Sequence, residues 1–237
     1  NAQERENIYS ESCTSIRVGN DASTDGSVMT SHTCDAWYRT WLEFVPAKEY
    51  KEGAMHPVRW GTMHTSSRWS EENIEVKGEI PGVAKTYAYL NTAYPCLNEK
   101  QLAIGETTFG GRRELRNEDG MFVIEELERI ALQRCTTARD AIRLIGELIK
   151  EYGYGDSGEC ITIADKHEVW HMEIMGEGPD RIGGVWAAQR IPDDHVGISA
   201  NICRIAEIDP DNEDYFMVSD NVYDVAKEMG FWDGKET

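Results

Sequence analysis

Two hydrophobic periods run along this chain, and each predicts its own kind of element. Thr14 to Val18 mixes β-branched and polar residues, Asp25-Gly26 is a strong hairpin signal, and Ser27 to Thr33 returns in extended style. The first recognisable unit is therefore a strand, a turn and a second strand. Tyr87 to Asn91 and Gln101 to Thr107 predict another extended pair around Pro95-Cys96-Leu97-Asn98-Glu99. The period then changes: Val123, Leu127, Ile130 and Ala131 share one helical face, and Ala138, Ala141, Ile142, Ile145 and Ile149 share the next. Thr137 with Asp140 reads as a capping box with Asp in the Glu position, and Gly153 and Gly155 stop the second helix. Ile161 to Ile163 and Val169 to Met175 predict strands joined at Asp165-Lys166, followed by Val185 to Gln189 and His195 to Ile202. Ser219 to Gly230 closes the pattern as an amphipathic helix with Val222, Val225, Ala226 and Met229 inward and Gly230 as its cap. The two central helices are expected to cover a sheet and carry no chemistry.

The chain has 237 residues, 40% of them hydrophobic, and no linker-like shift in composition, which predicts one large domain of mixed helices and strands. Its net charge of -19, from 43 acidic against 24 basic residues, argues against a nucleic-acid backbone or an anionic membrane as partner. No stretch approaches the roughly 20 apolar residues that span a bilayer. The first residue is not Met and the first twelve are polar, as remains after a signal peptide is cut away, so a secreted or periplasmic location is expected, with the cytoplasm as the alternative. Six cysteines, at 13, 34, 96, 135, 160 and 203, show no CxxC spacing. A Cys34–Cys96 bridge is open in an oxidising compartment. From Trp37 to Trp69 the chain is rich in aromatic and basic groups, among them Arg39, Trp41, His56, Arg59, Arg68 and Trp69, which suit either a substrate cleft or plain sheet packing.

In the first hairpin, Cys13-Thr14 opens one strand and Asp35 closes the other, so pairing returns both to one end of the unit. This arrangement resembles the N-terminal-nucleophile hydrolases, most closely the cysteine dipeptidases of the dipeptidase A and secernin type. The resemblance implies an α+β fold, a four-layer αββα sandwich with mostly antiparallel sheets. It also implies that residues 1–12 are a propeptide removed at the Ser12-Cys13 bond, and that 13–237 form the hydrolase domain. The freed α-amine, with a pKa near ~7.7–8.0, could then take the proton of a thiol near ~8.5. Asp35 would hold that amine.

The same resemblance supplies further candidates. Asn98-Glu99 before Leu102-Ala103 matches the family stretch near which a main-chain N–H helps form the oxyanion hole. The Ala200-Asn201 step matches the position of a side-chain amide that donates to the oxyanion, and Arg204 beside it could meet a substrate carboxylate. Bile-salt and penicillin hydrolases carry Arg three residues before the Asp, where this chain has His32, which can donate a hydrogen bond and carry charge at mildly acid pH. The implied activity is hydrolysis of dipeptides with a free N-terminus, requiring no metal or organic cofactor. Small peptides are then the expected partners, and a homo-oligomer is left open. Family members are commonly much longer, so strands of the sandwich could be missing here.

His167-Glu168-Val169-Trp170-His171 satisfies the H-E-x-x-H pattern of zinc peptidases, which requires a helix to bring both imidazoles to one metal. The surrounding residues predict strands instead, which would hold the two rings about 13 Å apart. Three rivals stay in view: an amide hydrolase acting on bile-salt conjugates or N-acyl amino acids, a zinc peptidase, and a silent binding protein on the same fold.

Overall fold

The computed structural model describes residues 12–36, 38–39, 41–67 and 70–235. Most of the expected propeptide, and Trp37, Arg68 and Trp69 of the aromatic stretch, lie outside the described residues. Ser12–Val18 (β1) pairs antiparallel with Met29–Asp35 (β2), Cys13 directly opposite Cys34 and Ser12 opposite Asp35. Asp25-Gly26 does form a turn, with Asp25 Oδ1 accepting the Ser27 N–H at 3.0 Å and Gly26 at φ +78°, but inside a longer connection than a tight hairpin. On its other edge β1 pairs with Val196–Ser199 (β14), which completes a three-stranded sheet.

The larger sheet has eight strands. Along the chain they are Glu43–Val45 (β3), Tyr89–Asn91 (β8), Leu97–Asn98 (β9), Ala103–Thr108 (β10), Glu159–Ala164 (β11), Val169–Gly176 (β12), Gly184–Arg190 (β13) and Phe216–Val218 (β15). Their order is β15-β13-β12-β11-β10-β9-β8-β3, antiparallel throughout. Two small two-stranded sheets stand apart, Lys48–Glu49 (β4) with Lys85–Thr86 (β7), and Met55–Trp60 (β5) with Glu75–Pro81 (β6).

The two faces of the large sheet do different work. Ile161 and Ile163 of β11 join a fully buried cluster with Leu127 and Ile130 of Ile124–Arg134 (α1) and Ile142, Ile145 and Ile149 of Ala138–Tyr152 (α2). Each such aliphatic side chain contributes about 1.5–3 kcal/mol by burial. Thr162, between those isoleucines, turns the other way and hydrogen-bonds Thr30 of β2. Thr107 of β10 similarly meets Ser199 of β14 at 3.2 Å. One face is thus sealed by helices and the other carries polar side chains toward the small sheet. The two sheets approach closely: a Cβ on Gly105 would lie 2.6 Å from His32 Nδ1, so only glycine fits there. The capping expected at Thr137 is present, its Oγ1 accepting the Asp140 N–H at 3.2 Å, and Gly153 ends α2 at φ +81°. Val222–Glu228 (α3) buries Val225 and stops before Gly230 at φ +72°.

Helices, large sheet and small sheet make three layers, mostly antiparallel and of α+β type. The described residues do not build the fourth, helical layer of the expected sandwich, and the outer face of the small sheet leaves Ile16, Met29, Val196 and Ile198 between 41% and 55% exposed. No helix among the described residues is long and apolar enough to cross a membrane. The six cysteines are free thiols, so the Cys34–Cys96 bridge is not formed.

Helix α1 is buried almost all round, and its acidic residues pay unequally for it. Glu126 has Arg129 and His56 as partners, whereas Glu125 keeps one oxygen without a partner among the described residues. Burial, only partly offset by Arg129, pushes the Glu125 carboxyl up to about 7 from an ordinary 4.5. A folded-state pKa above the unfolded one means that stability from this group is full below pH 4.5 and is lost as pH rises toward 7. The loss is about 3 kcal/mol at ~1.4 kcal/mol per pH unit. Glu125→Gln is therefore expected to flatten the stability profile between pH 4.5 and 7 relative to wild type. Urea denaturation across that window checks it, and parallel profiles for the two proteins would refute it.

Candidate active site

The inward face of β1 carries Cys13, Ser15 and Arg17, all buried. Because Cys34 stands directly opposite Cys13 in the ladder, both thiols point the same way, into the space between the sheets. The Glu106 carboxylate of β10 reaches both thiols. Its Oε1 accepts from Cys34 Sγ at 3.1 Å and from Cys13 Sγ at 3.7 Å, and its Oε2 is 3.5 Å from the Thr108 hydroxyl, which also donates to Glu159 Oε2 at 3.2 Å. The Cys34 thiol donating toward its sulfur lowers the Cys13 pKa, as does Asn201, while burial and Glu106 act against them. Cys34 is pushed up by that same bond, by burial and by Glu106, so it holds the proton of the pair. Burial and the Glu106 charge likewise push up Glu159.

Asn201 follows β14 in the left-handed region at φ +54° and turns its side chain onto Cys13. Its Oδ1 accepts the Cys13 main-chain N–H at 2.6 Å, and its Nδ2 donates to the Thr108 carbonyl at 2.6 Å. An N–H on one side and a carbonyl on the other fix which way the amide faces. Phe109 N bonds Gly158 O across to β11, so the alternation of the ladder turns the Thr108 N–H and C=O away from β11, toward Asn201.

The loop carrying Asn201 is anchored from below. Arg17 donates to His171 Nδ1 at 2.7 Å, which leaves His171 Nε2–H to donate to Glu173 Oε1 at 2.8 Å, and Glu173 accepts the main-chain N–H groups of Arg204 and Ile205. Burial lowers the His171 pKa, so the ring stays neutral and fits this chain of donors. This is the use of the second histidine in the H-E-x-x-H pattern. Glu168 is committed to Arg139 and Arg190, and His167 lies outside β12 in the turn, so the three residues do not form a zinc site.

The other expected residues are placed as follows. Ser12 and Cys13 are consecutive in β1. Asp35 reaches the same end of the hairpin, but strand alternation sets its exposed carboxylate on the face opposite the sulfur. Asn98 is not brought to the site. Its N–H donates to Leu102 O, its Oδ1 accepts from Lys100 and Leu102, and its Nδ2 donates to the carbonyls of Leu132 and Cys135. The neighbouring amides of Glu99 and Gln101 are committed as well, to Ala88 O and Asn98 O. The turn and the end of α1 thus take up the Asn98 side chain and the main-chain N–H groups of residues 98 to 102. His32 packs on Gly105 and edge-on to Tyr94 at 6.4 Å, beside a cavity of about 630 Å³ that Cys96, Gln101 and Ile104 also line. Burial lowers its pKa, and the nearby Glu106 charge acts against that shift. Arg204 is exposed and holds the loop through its main chain. Arg39, Trp41, His56 and Arg59 line a separate cavity of about 480 Å³ against α1.

Sequence reasoning missed Cys34, Glu106, Thr108 and Glu159. The usable signal was a glutamate inside the apolar strand Ala103-Ile104-Gly105-Glu106, since a buried carboxylate needs a reason to be there.

Residues 12–237 match the profile of peptidase family C69. The chain is 26% identical over 239 residues to a probable dipeptidase of Salmonella dublin, covering 93% of this chain and 50% of that protein. It is 27% identical over 233 residues to a probable dipeptidase of Latilactobacillus sakei, covering 91% and 44%, and 30% identical over 223 residues to probable dipeptidase B of Lactococcus lactis subsp. lactis, also covering 91% and 44%. The chain spans about half the length of the curated relatives it matches.

Proposed function

The chain belongs to peptidase family C69, and from that premise we propose that it is the nucleophile-bearing part of a cysteine dipeptidase, with Cys13 as the attacking group. The observation that carries the reading is the Cys13 nitrogen held at 2.6 Å by Asn201 while the sulfur of the same residue faces Cys34 and Glu106. A catalyst that uses its own α-amine as base needs that nitrogen fixed, with its lone pair left free for the thiol of the same residue. The family match beginning at residue 12 supports Cys13 as the start of the working chain.

Maturation would begin with Cys13 Sγ attacking the Ser12 carbonyl carbon. The C–N bond breaks, a thioester forms, the amine takes a proton, and water hydrolyses the thioester to release residues 1–12. In the mature site the amine donates one N–H to Asn201 and keeps its lone pair for the thiol proton. The thiolate attacks the dipeptide carbonyl. The Thr108 N–H and the second Nδ2 hydrogen of Asn201 are the donors aimed where the oxyanion would form. The amine then protonates the leaving group, and water hydrolyses the acyl-enzyme. Asp35 is assigned to steady the amine once the 12–13 bond is gone, and His32 and Arg204 to the substrate. The exposed Ile16, Met29, Val196 and Ile198 support a four-layer sandwich with a helical layer seated on them.

Intact mass before and after incubation, followed by dipeptide and N-acyl amino acid hydrolysis assays, tests this reading. Loss of residues 1–12 with turnover of free-amine dipeptides is the expected result. Turnover of acyl amides alone would move the activity to a sister reaction. An unchanged mass, with a Cys13 thiol that alkylates no faster than free cysteine, would leave a silent binding protein.

A further inference from the structure

Glu106 is fully buried, yet among the described residues it hydrogen-bonds two thiols and a hydroxyl and forms no ion pair with Lys or Arg; the nearest imidazole, His32, feels its charge but donates no hydrogen bond to it. Buried carboxylates are ordinarily paired with a cation or coordinate a metal. Glu159 adds a second acidic group beside it through Thr108, with one oxygen left without a partner among the described residues. The site is therefore short of positive charge by its own construction.

The three candidate donor atoms, Cys13 Sγ, Cys34 Sγ and a Glu106 oxygen, all lie within 4.8 Å of one another. Zinc bound tetrahedrally to sulfur at ~2.3 Å and oxygen at ~2.0 Å requires sulfur-to-sulfur edges of roughly 3.8 Å and sulfur-to-oxygen edges of roughly 3.5 Å. The observed sulfur-to-oxygen distances, 3.1 and 3.7 Å, bracket that edge. All three residues sit on paired strands, so little rearrangement separates this triangle from a metal face. We propose that Cys13, Cys34 and Glu106 form a site for a thiophilic divalent cation of the zinc class, which blocks the nucleophile reversibly. The inference concerns regulation of the proposed peptidase site and rests on that reading for its consequence, not for the binding itself. Binding forms two metal–sulfur bonds and releases both thiol protons to solvent, while Glu106 supplies the third ligand and water the fourth. No oxidant is needed. The other buried thiol–imidazole–carboxylate group, Cys160, His171 and Glu173, lacks this freedom because Arg17 donates into His171 and Glu173 is spent on the loop amides.

Cobalt(II) added to the fully reduced chain is the test, since tetrahedral thiolate coordination gives an intense visible spectrum. One equivalent is expected to bind and to be displaced by zinc. Cys34→Ser and Cys34→Ala should each weaken binding at least 100-fold and Glu106→Gln about tenfold, while Cys160→Ala leaves it unchanged. Near-ultraviolet circular dichroism shows which variants are folded, and either Cys34 variant suffices. A spectrum that persists in the folded Cys34 variants, or that disappears in Cys160→Ala, overturns the proposal. If cobalt binds as stated and dipeptides are not hydrolysed, the peptidase reading alone fails. If dipeptides are hydrolysed and zinc inhibition does not depend on Cys34, this inference alone fails.

Discussion

Replacing Cys13 with alanine is expected to stop cleavage of the 12–13 bond and to lower dipeptide turnover by on the order of 10⁴-fold or more, because no other group can form the acyl intermediate. The fold should survive the change. Alanine retains the small buried volume on β1, and Glu106 keeps the Cys34 thiol as a donor at 3.1 Å. Thermal midpoints within a few degrees of wild type would show that the loss is chemical. Cys34 lies close enough to tempt a substitute role, but it has no α-amine beside it and holds its proton more tightly than Cys13. A Cys13→Ala chain that still releases residues 1–12, or that keeps full peptidase activity, would remove the nucleophile from the mechanism.

The second large effect is expected at Asn201. One side chain bridges the Cys13 nitrogen and the Thr108 carbonyl, so its loss frees the proposed base and removes the proposed oxyanion donor together. Asn201→Ala should lower turnover by about 10² to 10³, the range for loss of one preorganised donor. The left-handed backbone at φ +54° complicates that variant, since alanine there is strained by roughly 1–2 kcal/mol. Asn201→Gly removes the amide without the strain and separates the two causes. If the glycine variant hydrolyses dipeptides at the wild-type rate, Asn201 holds the loop and takes no part in the reaction. If both variants lose turnover alike and remain folded, the amide is what matters.

Much of the scaffold was legible because its signals are local. The α1 and α2 faces, the Thr137 cap, the Gly153 stop and the strands on either side of Asp165-Lys166 each arise from residues a few positions apart. The candidate nucleophile was legible too, from the opening of the first strand. Of the site around it, only Asn201 was named from sequence, through the family resemblance, and not the contacts that it makes. Glu106 lies 93 positions from Cys13 and Asn201 lies 188, so no window of sequence contains their contact. Asn98 looked like a site residue because its surroundings resemble a motif, yet its side-chain nitrogen is taken up by carbonyls at the end of α1 and its oxygen by the amides of Lys100 and Leu102. Asp35 was read correctly to the right end of the hairpin, but a strand shows alternate residues to opposite sides, and one position decided its face.

Amino-acid order by itself settled the helices, most strands of the two stacked sheets, the family and a thiol at the head of β1. Only the stacking of the small sheet on the large one decided what that thiol meets, namely a second thiol, an unpaired buried carboxylate and an amide on its own nitrogen. The reason is range: helix and strand propensities act over one or two turns of chain, whereas a reactive group takes its proton affinity and its partners from whatever the folded chain presses against it.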